Sequence, residues 1–101
     1  MAAKLGIFVT SDRHLQHVVG LAGAAHRVHK EVIIFFTHKG VALTQDPRFK
    51  ELIGKAQLSV CNVKFEEYGF VKDVVGVGEK DYGTQARHGT LLDECDRYLV
   101  F

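Results

Sequence analysis

Two short stretches, KLGIFVT (4–10) and EVIIFFT (31–37), restrict the fold more than anything else in the chain. Both are apolar on successive positions and rich in β-branched and aromatic side chains. A strand of that kind has to be covered on both faces, which is the condition of a parallel sheet rather than of a hairpin with one face in water. QLSVC (57–61) reads as a third strand. Between these runs the period changes to that of a helix. Ser11 offers a helix cap, and the pattern runs on to about Lys30. Leu15, Val18, Val19, Ala22 and Ala25 fall on one side, and Asp12, Gln16, Arg27 and Lys30 on the other. Asp46-Pro47 has the form of a helix start, a capping carboxylate ahead of a proline at the first helical position, and Gly54 ends that helix. Residues 63–68 read as about two turns of helix, with Gly69 suited to the left-handed position just past the end. DVVGVG (73–78) is expected as a short fourth strand, 84–94 as a helix, and RYLVF (97–101) as a fifth strand. Strands apolar on both faces and alternating with helices imply an α/β chain of three layers, α/β/α, around a five-stranded, mainly parallel sheet.

The totals fit one such domain. The chain has 101 residues, of which 47% are hydrophobic, enough for a real core. Thirteen Lys and Arg against twelve Asp and Glu leave a formal charge of +1. That balance offers no electrostatic footprint for nucleic acid or an anionic membrane. The start, MAAKLGIFVTSDRH, has too short an apolar run for a secretory signal, and no stretch approaches a transmembrane span. Two cysteines are too few for a disulfide scaffold. A reducing, cytoplasmic setting is therefore expected.

In open parallel sheets, reactive groups gather beyond the carboxyl ends of the strands. Cys61, the last residue of the third strand, lies on that rim. His38 follows the second strand and is its rim neighbour if the two strands are adjacent. Ser11, Asp12 and His14 follow the first strand. Cys61 also precedes a short helix whose unbonded N–H groups carry partial positive charge and favour a thiolate, and Lys64 and His38 would add to that. Equally, a cysteine at a strand end commonly just fills core space. Cys95 precedes the fifth strand and belongs at the opposite end of the sheet. A five-residue strand spans ~17 Å, whereas disulfide Cα atoms must lie within ~7 Å, so an internal Cys61–Cys95 bridge is not expected.

Six histidines raise the question of a metal. His14 and His17, and His26 and His29, are each three apart on one helix, but no dense cluster completes a zinc site. His26 and His29 are expected on the apolar side of the helix, and His14 and His17 at the rim or surface. GVGEKDYG (76–83) has a G-x-G but neither a dinucleotide nor a Walker fingerprint. No metal and no organic cofactor is expected.

Three blocks nevertheless resemble one family. EVIIFFTHKGVALT looks like the apolar strand and Gly-Val turn of the DsrE/DsrF/TusD-like sulfur-relay proteins. LSVCNVKFEEYGF resembles their next strand, ending in cysteine and leading through a short helix to a glycine, and CDRYLVF resembles their last strand. The resemblance, in order and spacing, covers most of the chain from residue 31 onward. It implies a single DsrE-like domain, flavodoxin-like in general shape, assembled with itself or related subunits. In sulfur-transferring members the cysteine matching Cys61 holds a persulfide, taken from a donor protein and passed to an acceptor's thiol. Cys61 would then be the catalytic thiol, with His38, Lys39, Gly40, Asn62 and Lys64 as its supporting rim. Members of the family without transfer activity are structural subunits, so an assembly module is the alternative. A redox-sensing thiol is the third, and it would need a resolving cysteine.

Overall fold

The computed structural model describes residues 4–83 and 93–101. Its strands are β1 (Lys4–Val9), β2 (Glu31–Phe36), β3 (Gln57–Cys61), β4 (Tyr82–Gly83) and β5 (Arg97–Val100). They form one five-stranded sheet in the order β4-β3-β2-β1-β5, and every pairing is parallel. The expected α/β architecture is therefore present, with β2 and β3 adjacent.

Register and alternation explain why two faces are apolar. Ile7 lies beside Ile34, and Phe36 beside Val60, on the face that meets helix α1 (Leu15–Arg27) and a 3-10 helix, Pro47–Leu52. Phe36 and Phe49 rings pack there at 5.2 Å between centroids. The other face carries Phe8 beside Phe35, Phe35 beside Ser59, and, by alternation, Cys61. All four are buried, so both faces of the central strands are covered. Phe8, Phe35, Phe36 and Phe65 are among the largest fully buried side chains. Each stabilises the fold by about 3 kcal/mol through the apolar surface it removes from water.

Local chemistry sets the element ends. Asp46 accepts from the Arg48 N–H at 2.8 Å with Pro47 at the first helical position, as the sequence suggested. The segment is 3-10 rather than α, and it ends at Leu52, followed by Gly54 at φ +82°. Helix α2 (Asn62–Glu67) ends as expected, with Gly69 at φ +73° donating to the Glu66 carbonyl.

Three expectations need correction. Ser11 does not cap α1: the Thr10 and Ser11 N–H groups are drawn to the Phe101 carbonyl instead, and the helix starts only at Leu15 behind His14. His26 and His29 are exposed: the buried side of α1 is Leu15, Val18, Ala22, Gly23 and Ala25, and His29 lies past the helix end in a turn at φ +60°. DVVGVG is a loop, turned by Gly76 at φ +90° with Val75 largely in solvent; the fourth strand is Tyr82–Gly83. The fifth strand is present as expected, as β5 at the edge of the sheet beside β1, with its residues exposed. The expected helix 84–94 lies outside the described residues except at its last two. Among the described residues, no helix is long and apolar enough to cross a membrane.

Candidate functional site

The chain steps from β1 through β2 and β3 to β4 on one side, then returns to place β5 on the other side of β1. The switch point of the sheet is thus between the carboxyl ends of β1 and β5, where ligands of such folds usually sit. Here the chain fills it. The Phe101 carbonyl accepts from the Thr10 N–H (2.7 Å), the Thr10 hydroxyl (3.0 Å) and the Ser11 N–H (3.3 Å). The His14 ring lies 6.2 Å from the Phe101 ring and 5.8 Å from that of His17. Ser11 Oγ is buried there with no hydrogen-bond partner among the described residues.

The rim is more open beyond β2 and β3. A cleft of about 430 Å³ is lined by His38, Lys39, Lys64, Glu67 and Tyr68. It lies between α2 and a 3-10 helix, His38–Gln45, that leaves the end of β2. His38 is held at φ +50°, a conformation that non-glycine residues seldom adopt. What turns the chain there is Gly40. Its N–H donates to the Thr37 carbonyl at 2.9 Å, and a Cβ on it would stand 2.1 Å from the Val9 carbonyl oxygen. Only glycine lets this loop press against β1 and so present His38 and Lys39 at the rim.

Of the rim residues expected around Cys61, the structure brings His38, Lys39 and Lys64 together on one cleft. Gly40 is buried against β1 instead and shapes the loop from behind. Asn62 turns its Nδ2 to Glu66 Oε1 at 3.4 Å along α2, leaving Oδ1 buried. Lys64 is paired with Glu67 at 3.0 Å, which offsets the charge it brings to the rim. Glu67 and Tyr68 were not singled out in the sequence. Their spacing of three and four residues from Lys64 on a helix was the available signal.

Cys61 stands where the sequence put it, at the last position of β3, and it is the residue immediately before α2. It is 1% exposed and does not line the cleft. Both cysteines are thiols. Cys95 packs over β1 near the opposite end of the sheet: a Cβ on Gly6 would lie 2.8 Å from its Sγ. Burial, with the Glu94 carboxylate second, pushes the Cys95 thiol above its ordinary pKa. Among the described residues no group of three or more His, Cys, Asp or Glu side chains is placed to hold a metal ion.

No family model matches the chain, and no curated protein matches it.

Proposed function

We propose that the protein is a small sulfur carrier whose working group is the Cys61 thiol, sheltered at rest and uncovered when α2 lifts. The observation that carries this reading is the position of Cys61, which is at once the carboxyl end of a central parallel strand and the entry to a short helix. That rim is where such folds keep their chemistry. The three sequence blocks that resemble sulfur-relay proteins select sulfur transfer among the uses of a thiol.

In the reaction, the Cys61 thiolate attacks the outer sulfur of a donor's persulfide. The S–S bond of the donor breaks, the donor leaves as a thiolate, and Cys61 carries the persulfide. An acceptor thiolate then attacks that outer sulfur, and Cys61 leaves as a thiolate. Sulfane sulfur moves at each step and no net electrons enter or leave. Burial suits the carrier between steps, since a sheltered persulfide is out of reach of bulk thiols. The test is persulfide loading from a sulfane-sulfur donor, read by mass spectrometry. Wild type should gain one sulfur on the Cys61 peptide, and Cys61→Ser should gain none there while folding normally. Persulfide on that variant equal to wild type would refute the assignment.

The 1% exposure of Cys61 favours a second reading, a non-catalytic assembly subunit in which this thiol is packing. Val63, Tyr68, Val71 and Val75, and on β5 Tyr98, Leu99 and Val100, leave apolar surface exposed for a partner. On that reading Cys61→Ala leaves complex formation unchanged, and the thiol reacts only on global unfolding.

A further inference from the structure

A cleft larger than the one beside His38 lies at the other end of the sheet, and its chemistry is different. It measures about 600 Å³ and opens where α1 ends and β2 and β3 begin. Lys4, Lys30, Lys55, His26 and His29 stand around it, and among the described residues Glu31 is the one acidic side chain in its lining. Three lysines against one glutamate give a formal +2 before the histidines are counted.

The acids nearby are already engaged. Glu31 pairs with Lys4 Nζ at 3.8 Å, and Asp96 accepts from the Lys4 backbone N–H at 2.8 Å. Lys30 and Lys55 make no ion pair among the described residues. Opposing them is the carboxyl end of α1, worth about half a negative charge. Part of that is met within the chain: the Val28 and Lys30 N–H groups donate to the Ala25 carbonyl, and the His29 N–H to the His26 carbonyl. With Asp96 counted, three lysines against two carboxylates and the helix end still leave a small positive excess, which lies at Lys30 and Lys55.

The backbone is shaped to hold these groups there. The turn after α1 puts His29 at φ +60°, where glycine would be at ease, and the turn before β3 has Gly54 at φ +82°. These two turns point the end of α1 and the Lys55 segment at the same space. Side chains that mostly donate, gathered around a volume in the ~300–1,000 Å³ range of small-molecule sites, fit a ligand that is rich in acceptors and negatively charged.

We propose that this amino-end cleft binds a phosphate-bearing small molecule of nucleotide size, gripped through Lys30 and Lys55 with His26 and His29 alongside. The site is independent of the Cys61 reading. The test is titration of the full chain with adenosine monophosphate, with adenosine as the matched uncharged probe, followed by amide chemical shifts. Adenosine monophosphate should give saturable shifts at His26 to Lys30 and Lys55 to Gln57. Adenosine should give none, and added inorganic phosphate should compete. Lys30→Glu with Lys55→Glu should weaken binding at least ~10-fold, while Lys39→Glu in the opposite cleft leaves it unchanged. Should the charge-reversed pair lose its folded spectrum, Lys30→Gln with Lys55→Gln serves, with the same direction expected. Equal shifts from adenosine, shifts centred on His38 and Lys64, affinity unmoved by the lysine changes, or no saturable shift would each overturn the proposal.

Discussion

On the sulfur-carrier proposal Cys61 is reached by lifting α2, and one buried side chain anchors that helix. Phe65 is the only buried residue of α2, 0% exposed, with its ring 5.6 Å from Phe70 and 5.0 Å from Tyr82. The rest of the helix is in water, apart from partly covered Asn62 and Lys64. Re-exposing a buried phenylalanine costs about 3 kcal/mol. At ~1.4 kcal/mol per factor of ten, the lifted state is populated at ~1%. Iodoacetamide should then modify native Cys61 ~100-fold more slowly than the unfolded thiol. Exposure by global unfolding, with ~5–15 kcal/mol to overcome, would slow it by roughly several thousand-fold or more. Phe65→Ala removes most of the latch and should speed Cys61 alkylation by up to ~100-fold, with Phe65→Leu in between. The rates are read by peptide mass spectrometry, with Cys95 as the internal comparison. Phe65→Ala also weakens the whole fold, so the rate is followed in low urea. Lifting a six-residue helix exposes little surface and gives a rate nearly flat in urea, while global opening rises steeply. A steep urea dependence in both proteins, or a Phe65→Ala rate equal to wild type, would refute α2 as the gate and favour the assembly reading.

Other outcomes follow from the same geometry. Gly40→Ala sets a Cβ against the Val9 carbonyl and should cost ~3 kcal/mol or more, seen as a lowered urea midpoint; an unchanged midpoint would contradict the close approach described here. His29→Gly relieves a side chain from φ +60° and should raise stability by ~0.5–1 kcal/mol, checked by the same denaturation; a loss would mean the histidine makes a stabilising contact. Asp46 is held below its usual 3.8 by its side-chain bond to Arg48 and then by the Arg48 N–H. Its contribution is therefore present above the unfolded carboxylate's pKa and lost as pH falls through the lower folded value. Asp46→Asn should flatten the acid limb of stability against pH below about 4, and an unaltered limb would exclude the pair as a source of it. Cys95, with its thiol pushed up by burial, should need more alkaline solution than a fully exposed thiol to react at the same rate, as alkylation against pH would show.

The amino-acid sequence determined the class of fold because the relevant signals are local. KLGIFV and EVIIFF have no polar face to offer, so they demand cover on both sides, and parallel pairing meets that demand. Asp46-Pro47 and Gly69 are turn chemistry, which needs only neighbouring residues, and both work as their types dictate. For the same reason the rim position of Cys61 was legible: it needs only the end of a strand and the strand's direction. The tertiary structure decided what depends on distant segments. DVVGVG has the composition of a strand, yet Tyr82–Gly83 takes the place beside β3, because pairing is settled by which segment reaches that edge. Ser11 has the chemistry of a cap, but its N–H is drawn to a carbonyl ninety positions away. The burial of Cys61, and the gathering of Lys30, Lys55, His26 and His29 at the far end of the sheet, likewise depend on the packing of elements against each other. Local pattern sets what each segment can be; long-range packing sets which of its groups reach water and which groups meet.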